Sequence, residues 1–134
     1  MGYFPMRIHH IGIVMPTQEQ ADKFIDKFGF EVDYSEYVPS YSATCIYLKR
    51  GVDSSAIEIV IPHDGVLGSY NRGRGGLHHI AIEVNDISVA EEYFREKGMD
   101  FLEEKEVECD SNILINFLQL RFGEGVLIEF VQRR

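Results

Sequence analysis

The 134-residue sequence has no tryptophan, two cysteines and four prolines. Two thiols, Cys45 and Cys109, cannot build the disulfide framework of a small secreted domain, and reduced thiols in a cytoplasmic protein are the expectation. Basic residues are scarce as well. Thirteen Lys and Arg against 22 Asp and Glu leave a formal charge of −9, which disfavours nucleic acid or an anionic membrane as a partner, since both attract basic surfaces. No apolar run approaches the ~20 residues of a membrane-spanning helix. The opening Met1-Gly2-Tyr3-Phe4-Pro5 lacks the basic start and apolar core of a secretory signal. The 45% hydrophobic content suits one compact unit, or two small modules fused about one core.

What is present is an internal repeat. Met6-Arg7-Ile8-His9-His10-Ile11-Gly12-Ile13-Val14 returns as Gly75-Gly76-Leu77-His78-His79-Ile80-Ala81-Ile82-Glu83-Val84, with His10 and His79 spaced 69 residues apart. Ala21, Phe24, Ile25 and Gly29 recur at the same spacing as Ala90, Tyr93, Phe94 and Gly98. Ala56-Ile57-Glu58-Ile59-Val60 is echoed by Leu127-Ile128-Glu129-Phe130-Val131, now at a spacing of 71, so the second half has gained about two residues. A chance histidine pair would not bring a helix, a glycine and a terminal Ile-Glu with it.

Each half reads β-α-β-β-β. In the first, residues 7 to 15 form a strand stopped by Pro16. Thr17-Gln18-Glu19-Gln20 has the spacing of a capping box, and the helix it opens ends at Gly29. Strands follow over 30–37, 44–49 and 55–61, with turns at Pro39-Ser40-Tyr41-Ser42 and Arg50-Gly51-Val52-Asp53. Residues 62–76 are a glycine-rich linker whose Arg72 and Arg74 are either solvated or contacts for an acidic substrate. In the second half, Leu77 to Val84 is a strand, Ser88-Val89-Ala90-Glu91 a second capping box, and 89–97 a helix ending before Gly98. A short strand lies within 99–107, a turn at Asp110-Ser111-Asn112, and strands over 113–121 and 126–131. Arg133 and Arg134 read as a wet tail. The modules divide as 1–66 and 67–134, together one α+β domain.

Glu58 and Glu129 are the odd residues, carboxylates in the middle of apolar strands, expensive to bury unless paired or bound to metal. If the modules pack about a pseudo-twofold axis, their first and last strands line one cavity, and His10, Glu58, His79 and Glu129 converge. Gly12 and Ala81 leave room beside the imidazoles. Two imidazoles and two carboxylates suit a borderline divalent ion such as Zn, Co, Ni, Mn or Fe. The plain alternatives are strand histidines and exposed strand carboxylates. His9 and His78 point to the opposite strand faces as packing or hydrogen-bonding residues, and His63 is a loop histidine without a counterpart.

The repeat, with His10 in Ile-His-His-Ile-Gly-Ile-Val, Glu58 in Ile-Glu-Ile-Val, His79 in Gly-Gly-Leu-His-His-Ile-Ala-Ile-Glu-Val and Glu129 in Gly-Val-Leu-Ile-Glu-Phe-Val, resembles the vicinal oxygen chelate superfamily (glyoxalase/bleomycin resistance). The resemblance spans residues 7 to 132 and is strongest to its methylmalonyl-CoA epimerase and glyoxalase I-like members. It implies paired β-α-β-β-β modules forming a curved mixed sheet around a metal cavity, a homodimer, and Glu129 as both metal ligand and catalytic base. It departs from the epimerases at Ser40-Tyr41-Ser42, where those relatives carry a second proton-transfer glutamate in a Glu-Gln-Gly segment; Glu36 lies upstream.

The expected activity is therefore that of a metal-dependent isomerase, epimerase or lyase that abstracts a proton beside the carbonyl of a small metabolite, such as an acyl-CoA thioester. A metal-dependent oxygenase or resistance-type transferase, and a small-molecule binding protein on the same scaffold, are the alternatives. Four protein ligands leave an oxygenase fewer open positions.

Overall fold

A computed structural model describes residues 7–110 and 112–134; the opening pentapeptide, Met6 of the repeat and Ser111 of the expected turn lie outside the described residues. Among them the chain divides into two compact units, 10–78 and 79–134, the latter joined by residues 7–9. Each is a β-α-β-β-β module.

In the first unit, β1 (Ile8–Val14) leads to α1 (Gln18–Phe28), then β2 (Val32–Val38), β3 (Ala43–Leu48) and β4 (Ala56–Pro62). β1 and β4 pair in parallel, and β4–β3 and β3–β2 are antiparallel. The helix starts where its sequence says it should. The Thr17 hydroxyl accepts a hydrogen bond from the Gln20 backbone N–H at 3.2 Å, and Gly29 closes it in the left-handed region at φ 70. That cap satisfies backbone donors and carbonyls which the helix itself leaves open.

Period-two alternation then sorts the strand residues. Ile46, Leu48, Ile59 and Ile61 pack with Met15 and with Ala21 of α1, and Phe24, Ile25, Ile13 and Ile57 close around them. The intervening residues, Glu58 among them, project from the other face of the sheet.

The second unit repeats the plan with β5 (Gly76–Glu83), α2 (Ile87–Glu96), β6 (Val107–Asp110), β7 (Ile113–Phe117) and β8 (Ile128–Arg133). β5 and β8 are parallel, and β8–β7 and β7–β6 antiparallel. Its core joins Val84, Ile87, Ala90, Phe101, Leu118 and Phe130. The first two residues of β1 belong here by contact. The Glu83 N–H donates to the Arg7 carbonyl at 2.9 Å, and the Arg7 guanidinium donates to Asn85 Oδ1 at 2.9 Å. No helix among the described residues is long and apolar enough to cross a membrane.

Four local expectations change. The cap of α2 is Asp86 rather than Ser88: its Oδ1 accepts from the Ser88 and Val89 backbone N–H groups at 3.0 and 3.4 Å and from the Ser88 hydroxyl at 2.7 Å. A carboxylate at a helix start gains from the backbone dipole as well as the hydrogen bonds. Those donors, the Ser88 hydroxyl foremost, hold its carboxyl below the ordinary value. The strand expected within 99–107 is one bridge, Phe101 to Leu118, and β6 begins only at Val107. The strand over 113–121 stops at Phe117, because a 3₁₀ turn over Leu120–Gly123 takes the chain away. The terminal arginines are exposed, as expected, but they are paired rather than a loose tail. Arg133 lies in β8, 3.0 Å from Glu83, and Arg134 lies 3.0 Å from Glu108.

Released from capping, Glu91 turns inward. It is 3% exposed and accepts a hydrogen bond from Asn116 Nδ2. Burial raises its pKa above the ordinary value, with the neighbouring Glu106 carboxyl acting in the same direction and the Asn116 bond against it. A carboxyl whose folded pKa is raised binds its proton more tightly in the native state, so native stability falls as pH rises from the unfolded pKa through the folded one. Glu91→Gln keeps an acceptor for Asn116 and removes that loss. Urea unfolding should show the variant gaining on the wild type as pH increases from about 4 to 7; a pH-independent difference would contradict the assignment. Backbone geometry supplies a second prediction. Gly75 has φ 74, and a Cβ there would meet the Val14 carbonyl oxygen at 2.3 Å. Gly75→Ala should cost about 2 kcal/mol or more in thermal unfolding, against roughly 1 kcal/mol for Gly29→Ala, which shares the positive φ without the clash.

Candidate metal centre

Each unit carries a buried histidine beside a buried carboxylate. In the first, His10 Nε2 lies 3.4 Å from Glu58 Oε1; in the second, His79 Nε2 lies 3.2 Å from Glu129 Oε1. His10 is 1% exposed, Glu129 4%, and Glu58 and His79 5% each. All four residues singled out by the repeat are therefore interior, on the face of their sheet opposite the helix.

The register explains why the pairs match. Gly12 of β1 is the direct partner of Glu58, and Ala81 of β5 is the direct partner of Glu129. Each carboxylate thus rises beside a residue with almost no side chain and reaches the imidazole two positions along the neighbouring strand. A third strand completes the row, Tyr47 opposite Glu58 and Phe117 opposite Glu129. Both rings meet the imidazole of their own unit edge-on, with centroids 5.5 Å apart, at 87° for Tyr47 on His10 and 84° for Phe117 on His79. Such aromatic edges fix the imidazole plane and exclude water from one side of it.

Tyr47 and Phe117 were not evident beforehand. They are spaced 70 residues apart, between the 69 of the first strands and the 71 of the last, and following that drift through the repeat would have found them. Tyr34 extends the row in the first unit, stacked on Tyr47 at 4.8 Å.

The remaining histidines lie elsewhere. His78 meets the Tyr70 ring edge-on at 4.9 Å, while the Tyr70 hydroxyl donates to the Leu77 carbonyl. His63 is exposed and hydrogen-bonds the Thr44 hydroxyl at 2.7 Å. Arg72 and Arg74 are exposed. A groove of about 900 Å³ beside α2, lined by Glu91, Arg95, Phe101 and Glu106 among others, contains none of the four donors.

The donor chemistry suits a divalent cation. His10, His79 and Glu129 are buried groups of the kinds that ligate metals, and Glu58 supplies a second buried carboxylate. Mixed imidazole and carboxylate donors favour borderline divalent ions over calcium or a thiophilic metal.

A family model described as the Glyoxalase/Bleomycin resistance protein/Dioxygenase superfamily matches residues 9–117. The chain belongs to this superfamily. It is 28% identical to the mitochondrial methylmalonyl-CoA epimerase of Bos taurus over 132 residues, covering 94% of this chain and 74% of that protein. It is 27% identical to the ethylmalonyl-CoA/methylmalonyl-CoA epimerase of Cereibacter sphaeroides, covering 94% and 97%. A solved methylmalonyl-CoA epimerase in complex with methylmalonyl-CoA and NH4+ shares the fold with a TM-score of 0.84 and 28% identity, covering 95% of this chain and 94% of that one.

A buried carboxylate coupled to a buried imidazole loses heavily when either partner is removed alone. In metal-free protein, a cycle of His79→Ala, Glu129→Ala and the double variant should give a coupling of about 1–3 kcal/mol by urea unfolding. Additive effects would mean that the pair contributes no interaction of its own.

Proposed function

We propose that this protein is a divalent-metal-dependent epimerase acting on an acyl-CoA thioester with an acidic hydrogen at C2, and that His10, Glu58, His79 and Glu129 hold one ion between them. The observation that carries this reading is the duplicated row: an imidazole and a carboxylate at matching register in each module, buried, on a chain whose relatives are epimerases over nearly its whole length.

The ion supplies Lewis-acid stabilisation for negative charge developing on the thioester oxygen. Every other part falls to the protein. His10 and His79, held by the Tyr47 and Phe117 edges, orient the donor set. Glu129 takes the C2 proton, leaving an enolate whose charge is spread onto the carbonyl oxygen. Buried Ala81, the register partner of Glu129, and buried Val131, two residues along the same strand face, keep water from competing for that proton. A planar enolate can be reprotonated on either face, and return of a proton to the opposite face inverts the carbon.

Two cysteines are too few for a dense disulfide framework, which supports a cytoplasmic setting for the enzyme. A homodimer completes the reading, and light scattering of the purified chain tests it.

Metal content and turnover separate the roles. His79→Ala should lower bound zinc, cobalt or manganese per chain more than Glu129→Gln does, and both should reduce epimerisation by at least about 10²-fold. Incubated in D2O with methylmalonyl-CoA, the loaded wild type should place deuterium at C2. Unchanged metal content and turnover in both variants would overturn the site, and oxygen-dependent turnover without C2 exchange would overturn the reaction class.

A further inference from the structure

Two buried polar residues, Glu91 and Asn116, stand outside the donor row. Asn116 is 0% exposed and sits on the helix-facing side of β7, opposite Phe130 of the core. The repeat shows that packing requires neither of them. Ile46 is the counterpart of Asn116, by the spacing of 70 that relates Tyr47 to Phe117, and it lies in the first module's core opposite Ile59. Asp22, the counterpart of Glu91 at the helix spacing of 69, is exposed. The two changes go together. One module has an apolar strand residue and an outward helix carboxylate; the other has a buried amide bonded to a buried carboxyl. An amide in a core is costly unless its hydrogen bonds are made, so its partners show what the second module gains.

The gain is a substitute for a strand. In the first module Tyr47 has a strand partner on each side, Tyr34 of β2 and Glu58 of β4. In the second, β6 pairs with β7 only as far as Val107 opposite Ile115, and Phe117 lies two residues beyond. Asn116 takes over there. Its Oδ1 accepts from the Phe117 backbone N–H at 2.9 Å and from the Glu103 N–H at 3.2 Å. Its Nδ2 donates to the Glu103 carbonyl at 3.1 Å and to Glu91 Oε2. Both donors and both acceptor sites of the amide are thereby filled. The Leu102 N–H donates to the Phe117 carbonyl at 2.7 Å, and Arg95 holds the same turn by donating to the Glu103 and Glu104 carbonyls at 3.1 and 2.7 Å. The backbone of Phe117 is thus tied to a turn and to α2, where Tyr47 is tied to a neighbouring strand.

We infer that Asn116 is a positioning residue for His79, acting through Phe117. This rests on the metal-site reading above. The chain of contacts is short. Glu91 of α2 holds the Asn116 amide, the amide holds the Phe117 backbone, and the Phe117 ring meets the His79 imidazole edge-on at 5.5 Å. That imidazole lies 3.2 Å from Glu129. An aromatic edge that can tilt or shift leaves the imidazole more orientations, and a ligand spread over orientations binds metal less tightly because its order must be imposed on binding. Isoleucine, the residue of the sister module, would fill the space and leave the Phe117 N–H, the Glu103 backbone and Glu91 without the amide that joins them. Inside the core those bonds are short of competing water, so they hold direction as well as distance.

The test compares wild type with Asn116→Ile, with the paired exchange Glu91→Gln/Asn116→Asp, and with Ile87→Val, which removes one methyl from the same core and none of the network. In metal-free protein, proton–carbon NMR should show the His79 ring resonances of Asn116→Ile shifted and broadened as the Phe117 ring moves against them. Zinc affinity by calorimetry should fall about 10-fold in that variant, and its cobalt-loaded form should change its visible spectrum. The paired exchange reverses the bond between the two side chains and keeps an oxygen for the Phe117 N–H, so it should restore the resonances and most of the affinity. Ile87→Val should lower the unfolding midpoint and leave all three readouts at wild-type values. Should Asn116→Ile not fold, Glu91→Ala, which leaves the amide in place but unheld, takes its part in each comparison. Unaltered His79 resonances in the folded variant would overturn the assignment, as would equal changes in Ile87→Val, which would make the effect one of general loosening. Failure of the wild type to bind zinc or cobalt would overturn the metal reading instead, and the metal-free NMR comparison would still decide the role of Asn116.

Discussion

A carboxylate buried against an imidazole in the middle of an apolar strand is the constraint around which each module is built. Alone, Glu58 or Glu129 would carry a desolvation cost that no single hydrogen bond offsets. The fold meets it by register. The carboxylate is placed opposite Gly12 or Ala81, where the neighbouring strand offers space, and one step from a histidine that the same strand presents to the same face. Everything on the other face is given over to the helix: Ile59 and Ile61 against Ala21 in one module, Phe130 against Ala90 in the other. The sheet thus separates a dry hydrophobic side, which supplies stability, from a polar side, which is costly to maintain and chemically useful.

Much of this was legible in the sequence because duplication turns one weak signal into two correlated ones. A single His-His before an apolar run says little; its return with the helix, the glycine and the Ile-Glu at a nearly constant spacing identified both modules, their element order and the four buried residues His10, Glu58, His79 and Glu129. What stayed hidden depended on competition between similar local signals. Asp86 and Ser88 are both good helix caps, and only the backbone path decides that the aspartate takes the role, which in turn leaves Glu91 to be buried against Asn116. The charged run from Glu103 to Glu106 does not pair, because Arg95 donates to the carbonyls of Glu103 and Glu104 and pins the segment as a turn. The aromatic edges at Tyr47 and Phe117 escaped because their spacing drifts by one residue from each neighbouring strand pair.

Membership of the superfamily is secured by the match over 9–117, while activity within it is a matter of which residues surround the donors. The two modules are alike in the row that carries the carboxylate beside the histidine and differ in the next, where Glu36 and Cys45 of one stand against Val107 and Ile115 of the other.

The allegiance of the start of β1 has a further consequence. Residues 7–9 belong by contact with the later module, through the Arg7 bonds to Glu83 and Asn85, whereas from His10 onward the same strand belongs to the earlier one. Neither half of the gene now encodes a self-contained unit. A single cut between residues 78 and 79 would therefore leave the later module without the segment 7–9 that groups with it.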